Sequence, residues 1–162
     1  MNLALLCLLL MQIVCVFSHG SLFPNIRLLK HSSIASCEYL QYLKDATFNH
    51  EYAGFSRQSD EAPCSSFRVL HEKSKIGEGK ADFDKASNYL HSFEMINSLG
   101  WAEMVACPTL RPGDVIGTLV NCYKLVWSLN PCRVTSVQRG NNFSEVAFST
   151  LSGHLIAGEE RF

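Results

Sequence analysis

Two stretches near the end of the chain place hydrogen-bonding and ionisable side chains among apolar residues. The first is Trp127–Val134, in which an amide and a guanidinium follow an indole. The second is Gly153–Phe162, which carries an imidazole and a terminal pair of carboxylates. From these stretches we predict six candidate ligand-binding residues: Trp127, Asn130, Arg133, His154, Glu159 and Glu160.

Two interpretations of these polar residues are open. They could form the polar end of an otherwise apolar pocket, where such groups orient a bound molecule. They could instead form a structural network, with Arg133 paired to Glu159 or Glu160 and Asn130 capping a turn. The second interpretation has a physical basis, because an unpaired buried charge costs several kcal/mol.

The familiar catalytic motifs are absent from the sequence. Gly77–Gly79 begins like a nucleotide-binding loop, but Asp82 stands where a third glycine is needed, and the lysine of a phosphate loop is missing. His71 opens a zinc-protease pattern that fails because the second histidine position holds Lys75. No G-x-S-x-G nucleophile motif occurs. We therefore predict no catalytic residue.

The six histidines are scattered, and none repeats at a spacing typical of metal ligands. The sequence therefore predicts no metal and no cofactor. His91 is predicted to lie on the solvated flank of a helix. An enzyme in which His154 or Glu159 acts as the acid–base group is kept as an alternative hypothesis.

The charge balance excludes several classes of partner. The chain of 162 residues has 14 lysines and arginines against 15 aspartates and glutamates, a formal charge of -1. That balance provides neither the basic surface of a nucleic-acid-binding protein nor a polybasic membrane segment. Apolar residues make up 47% and charged residues 18%, which excludes a disordered or collagen-like chain.

The first 20 residues resemble a secretory leader. Leu3 to Phe17 is an apolar run broken only by Gln12, and small residues follow it, as a signal peptidase requires. No positive charge precedes the run, so an uncleaved anchor and a gene-model artefact stay open as alternatives. A true leader predicts secretion; otherwise a cytoplasmic or organelle-envelope location is expected.

The cysteines outside that leader argue against an oxidising compartment. Five remain, an odd number without zinc-finger or redox spacing, which is typical of free thiols. In a secreted protein, however, Asn142 would be a candidate glycosylation site, because Asn142-Phe143-Ser144 matches the acceptor sequence.

The periodicity of apolar residues predicts an α+β fold, with one long helix followed by antiparallel strands. A short helix is expected over 35–43 within a segment, 21–45, that is otherwise poorly structured. Apolar residues at steps of three and four predict the long helix, begun by Asp82 and ended by Gly100. The predicted long helix spans 81–99, and the predicted strands span 67–76, 101–107, 115–126, 132–138 and 143–150.

Four segments resemble an uncharacterised family, domain of unknown function 1990, also called uncharacterised protein family 0548. The resemblance covers residues 46–162, which we therefore expect to be a partial domain of that family. The segments are TFNHEYAGFSR at 47–57, RPGDVIGTLV at 111–120, WSLNPCRV at 127–134 and TLSGHLIAGEERF at 150–162.

The resemblance implies a helix-grip architecture, similar to START and birch-pollen-allergen-like proteins, in which a curved antiparallel sheet wraps a closing helix around an apolar cavity. It also implies that the family continues beyond Phe162, so an incomplete grip is expected here. Leaving about 600 Å² of apolar sheet wet would forgo about 15 kcal/mol. We therefore expect low stability unless a partner chain covers the sheet.

The function implied is binding of a small, lipid-like apolar molecule in the sheet concavity, without catalysis. Some plant relatives are associated with the plastid outer envelope. A membrane-associated or channel-related protein of that envelope is therefore a second hypothesis.

Overall fold

The structure is a computed structural model that describes residues 26–27, 30, 32–58, 64–105, 110–122, 124 and 126–162. The predicted leader lies outside the described residues. The helices are α1 (Ser33–Tyr42), α2 (Gly79–His91) and α3 (Glu94–Asn97), with short 3-10 turns at Leu43–Asp45 and Phe55–Arg57. The strands are β1 (Ile26–Arg27), β2 (Ala102–Val105), β3 (Val115–Cys122), β4 (Val126–Arg139), β5 (Ser144–Thr150) and β6 (Glu159–Arg161).

The described strands form one antiparallel sheet in the order β2-β3-β4-β5-β6. The two-residue β1 pairs with the start of β4, beyond the end of β5. The predicted α+β class is confirmed. The long β4 is the central element, because its first half pairs with β3 and its second half pairs with β5.

Helices pack on both faces of this sheet. Alternating residues of β4 point to opposite sides, as a pleated strand requires. Cys132 and Val134 join the core beneath α2 and α3, whereas Leu129 packs against Leu40 of α1. Both faces of the described sheet therefore carry helices at its centre, whereas the family resemblance implies that one face is left uncovered. α1 (Ser33–Tyr42) confirms the short helix predicted over 35–43 within the segment 21–45.

The predicted helix over 81–99 is broken. α2 ends at His91, and Phe93 takes a left-handed conformation (φ 57) before α3 begins. That conformation is strained for any residue with a Cβ atom, and burial of the Phe93 ring accounts for it. The ring is 4% exposed and meets Phe148 edge-on with centroids 6.4 Å apart.

Two strand predictions are wrong in detail. Residues 67–76 contain no strand, and Leu70 and Ile76 are almost fully exposed there. The single strand predicted over 115–126 is two strands, β3 and the start of β4, separated by a turn in which Lys124 has a left-handed φ of 60. The strands predicted over 132–138 and 143–150 are confirmed as parts of β4 and β5.

The ends of α2 differ slightly from prediction. The helix begins at Gly79, and Asp82 accepts a hydrogen bond from the main-chain N–H of Glu78 (2.9 Å) instead of being the N-cap. Gly100 has the predicted left-handed conformation (φ 74). None of the helices among the described residues is both long enough and apolar enough to cross a membrane.

Candidate functional site

A groove of about 800 Å³ runs along α2 at the flank of the sheet; we call it the α2 groove. Its walls come from the segment before α2, from α2 and α3, from the start of β5 and from the residue after β6. The apolar lining residues are Ile76, Phe83, Ala86, Tyr89, Leu90, Met95 and Phe162, and the polar ones are Asp82, Lys85, Ser87 and Ser144.

The sequence of α2 explains why an apolar wall forms there. Phe83, Ala86 and Leu90 recur at steps of three and four, so they share one face of the helix. Leu90 reaches the core beneath the helix, whereas Phe83 and Ala86 are only partly buried. The apolar stripe is therefore wider than the sheet covers, and its outer part is left as the wall of the groove.

A second depression of about 790 Å³ lies on the adjacent face of the same helix; we call it the basic depression. It shares Lys85 and Tyr89 with the α2 groove. The spacing again places its α2 residues together, since positions 85, 88 and 89 are three and four residues apart and share one face of the helix. The lining residues are Lys85, Asn88, Tyr89, His91, Ser92 and Arg139.

A hydrogen-bonded group joins the two depressions. His91 Nε2 lies 2.9 Å from Ser144 Oγ, and Ser87 Oγ lies 2.9 Å from the same oxygen. Burial, together with the positive charge of Arg139, lowers the pKa of His91 below its usual value. The imidazole is therefore mainly neutral at pH 7 and can accept a proton. The prediction that His91 lies on a solvated flank is wrong, since it is half-buried against β5.

Glu159 is held by a cluster of hydrogen-bond donors and lines neither depression. The main-chain N–H groups of Gly54 and Ser56 and the hydroxyls of Ser56, Thr135 and Ser149 donate to its carboxylate. Burial would raise the pKa of Glu159, but these hydrogen bonds outweigh it, so the net shift is downward. The carboxylate therefore fastens the loop at 54–56 to the sheet, which favours the structural interpretation for this residue.

Arg133 does not pair with either glutamate. Its guanidinium donates to the main-chain oxygen of Lys44 (2.7 Å) and lies 5.5 Å from the centroid of the Phe48 ring. The predicted pairing of Arg133 with Glu159 or Glu160 is therefore wrong. The strand register explains this, because Ser149 of β5 stands between Arg133 and Glu159.

The other predicted residues also have internal partners. Asn130 is buried and donates to the main-chain oxygens of Thr118 and Ser128, while its own oxygen accepts from the N–H of Leu155. Trp127 packs beside α1, with the Lys30 ammonium 5.3 Å from its ring centroid.

The last two predicted residues are His154, in the loop after β5, and Glu160, in β6. His154 is half-buried in the loop after β5, and burial lowers its pKa. Glu160 pairs in register with Phe148 of the α2-side core, so it points away from the face that carries Glu159. The six predicted residues are thus distributed over two faces and a loop, and they do not form one site.

The described thiols and the acceptor asparagine line neither depression. Cys37, Cys64, Cys122 and Cys132 are free, and burial with the charge of Glu160 raises the pKa of the Cys132 thiol far above its usual value. Asn142 is exposed in the turn between β4 and β5, and its glycosylation stays a prediction. The described ranges hold no group of three side chains suited to a metal ion.

The sequence alone does not predict which residues line the α2 groove. The apolar spacing of α2 was visible, but an apolar stripe predicts burial, not a partly open wall. Ser144 and Arg139 flank a hairpin turn, and only the packing of that hairpin beside α2 brings them to the groove.

Comparison with known proteins identifies a family whose model matches the part of the chain that forms the groove. The family model described as domain of unknown function (DUF1990) matches residues 51–162, which include every residue that lines the α2 groove. The chain is also similar to UPF0548 protein At2g17695 of Arabidopsis thaliana, with 26% identity over 136 residues. That match covers 74% of this chain and 64% of the relative.

No solved structure matches the chain significantly. Because the family model covers well over half of the sequence, the chain belongs to the family of domains of unknown function DUF1990.

Proposed function

We propose that this protein binds a small apolar molecule in the α2 groove and does not transform it. The supporting observation is the groove itself, in which apolar side chains of α2, α3 and Phe162 line about 800 Å³. Small-molecule sites in proteins commonly occupy about 300–1,000 Å³ and have mostly apolar walls with a few polar groups. The site lies at the flank of the sheet, instead of in the concavity that the family resemblance implies.

The groove can be tested by filling it. Ala86→Trp places an indole on its wall, so we expect the affinity for the neutral fluorescent probe 1-aminoanthracene to fall at least about tenfold. Ala157→Trp is the matched control, because Ala157 is exposed in a loop and does not line the groove. Met95→Trp is a second blocking variant, should Ala86→Trp unfold.

The measurement is a fluorescence titration of each folded variant. Native mass spectrometry of the purified wild-type protein is an independent test. We expect it to detect a co-purifying lipid-like mass. The proposal fails if the wild-type protein does not bind the probe, or if folded blocking variants bind it as tightly as Ala157→Trp does.

A second candidate function is hydrolysis of small apolar esters, favoured by the 2.9 Å contact between Ser144 Oγ and His91 Nε2. The Ser144 hydroxyl would attack the ester carbonyl carbon while His91 takes its proton. His91 would then return that proton to the departing alkoxide, and water would release the acid from the acylated serine. The carboxylate of Glu159 is not suited to acid–base work, because its hydrogen-bond donors hold it ionised.

Turnover of p-nitrophenyl butyrate separates the two functions. If hydrolysis occurs here, Ser144→Ala is expected to abolish it while binding of 1-aminoanthracene is retained. Ser98→Ala is the control, since Ser98 is exposed, lines neither depression and donates to the Met95 oxygen of its own turn (3.4 Å). Equal rates for wild type and Ser144→Ala would exclude this candidate.

A further inference from the structure

The α2 groove and the basic depression form one continuous surface along α2. Both are bordered by Lys85 and Tyr89. On one side of this border the walls are mainly apolar, with Phe83, Leu90 and Phe162 among them. On the other side lies Arg139. A molecule that occupied both parts would need an apolar body and a head group suited to cations.

The cations beside this border are Lys85 and Arg139. Among the described residues, neither Lys85 nor Arg139 has a carboxylate within 4.0 Å, whereas the neighbouring Lys80 is paired with Asp84. Arg139 donates to the side-chain oxygen of Asn88, a neutral group that leaves its charge uncompensated.

The acidic group in the groove is already occupied. Asp82 accepts the main-chain N–H of Glu78 at the beginning of α2 (2.9 Å), nearly one helical turn before Lys85. Its negative charge is therefore directed towards the N-terminal end of the helix, where it is stabilised. The end of the surface that carries Lys85 and Arg139 remains positive.

We propose that the ligand of the α2 groove is a single-chain amphiphile with an anionic head group, a carboxylate or a phosphate monoester. The hydrocarbon chain lies along Phe83, Ala86 and Leu90, and the head group is held between Lys85 and Arg139. This inference rests on the proposed binding function and adds the charge of the ligand to it. Guanidinium and ammonium groups both suit such oxyanions, the guanidinium through paired hydrogen bonds.

The test compares probes that share one chain and differ in charge: dodecanoate, dodecyl phosphate, dodecan-1-ol and dodecylamine. Each is titrated into the wild-type protein below its micelle concentration at neutral pH, by displacement of 1-aminoanthracene. We expect at least one of the two anions to bind about tenfold more tightly than the alcohol, because partly exposed ion pairs contribute modestly. The amine should bind more weakly than the alcohol, and the preference for the anion should shrink as salt is added.

Two variants identify the residues that recognise the head group. Lys85→Gln and Arg139→Gln should each reduce the preference for the anion over dodecan-1-ol several-fold. Lys75→Gln is the matched control, because Lys75 precedes α2, is paired with Glu78 and lines neither depression. It should keep the full preference.

The outcomes distinguish failure of the anionic head group from failure of the proposed binding function. If no probe binds, both fail. If dodecan-1-ol binds as tightly as both anions, or if Lys85→Gln and Arg139→Gln keep the wild-type preference, the anionic head group is excluded while the apolar site stands. A preference for dodecanoate indicates a fatty-acid-like ligand, and a preference for dodecyl phosphate indicates a lipid phosphate.

Discussion

Replacement of Phe93 by alanine is expected to lower the free energy of unfolding by about 3–4 kcal/mol, because a large buried ring is removed from the core. The ring is 4% exposed and packs with Cys132, Val134 and Phe148 beneath the junction of α2 and α3. For a chain of this size the melting temperature should fall by about 10 °C. Urea unfolding followed by circular dichroism measures the change.

Two comparisons make this prediction specific. Phe143→Ala removes the same ring from an exposed position (51%), and it should change the stability by less than about 0.5 kcal/mol. Phe93→Gly should be no less stable than Phe93→Ala, because glycine relieves a left-handed conformation that alanine does not. In an ordinary helix interior glycine would be less stable by about 1 kcal/mol. A Phe93→Gly variant clearly less stable than Phe93→Ala would show that residue 93 is not left-handed.

Replacement of Glu159 by alanine is expected to destabilise the protein by about 2–3 kcal/mol. The variant removes the acceptor shared by the main chain at Gly54 and Ser56 and by the hydroxyl of Ser149. Hydrogen bonds to a charged group are stronger than neutral ones, and the loop at 54–56 would lose its attachment to the sheet. Thermal unfolding and amide hydrogen exchange at Gly54 and Ser56 measure the effect.

Glu160→Ala is the matched control, because it removes the adjacent carboxylate, which points to the opposite face of the sheet. It should have little effect on exchange at the 54–56 loop. If Glu159→Ala and Glu160→Ala were equally stable, with equal exchange at Gly54, the structural role of Glu159 would be wrong.

The stabilisation by Glu159 depends on pH in a defined direction. Its pKa in the folded protein lies below the ordinary value of a glutamate. Its contribution is therefore fully present above the unfolded pKa of about 4.3 and is lost as the pH falls through the folded pKa. The difference in stability between wild type and Glu159→Gln should be largest near neutral pH and shrink in acid. A difference that stayed constant down to strongly acidic pH would contradict this.

The sequence predicts the regular elements best where the local residue pattern and the tertiary packing favour the same structure. α2, β5 and the turn at 111–114 are of this kind. In that turn Pro112 and Gly113 occupy the two central positions, a pair that predicts a type II turn. Gly113 is left-handed (φ 95) and the Asp114 N–H donates to the Arg111 oxygen (3.1 Å), in agreement with that pattern. The breaks at Phe93 and Lys124 are different, because nothing in the composition marks either residue for a left-handed conformation. Tertiary packing of the Phe93 ring decides the first.

The failed strand at 67–76 shows another limit. Alternation of apolar residues such as Val69 describes how a strand would bury one face, but a strand also needs a hydrogen-bonding neighbour. The described part of the sheet provides none for this segment, and Leu70 is 90% exposed. A pattern within one segment cannot predict the availability of a partner.

The candidate site was harder to predict than the fold. The polar residues near Arg133 and Glu159 stand out because they interrupt apolar strands, but strand register separates them and gives each an internal partner. Lys85 and Arg139 are unremarkable as surface cations. Their significance depends on their common position beside an apolar wall, which requires the packing of α2 on the β4–β5 hairpin.

The most direct test of ligand binding in the α2 groove is an isotope-filtered NMR experiment on the full chain with dodecanoate. We expect nuclear Overhauser contacts from the hydrocarbon chain to Phe83, Leu90 and Met95, and none to Trp127 or Leu129 on the opposite face of the sheet. Contacts confined to that opposite face, or no contacts at a saturating concentration of dodecanoate, would contradict the account.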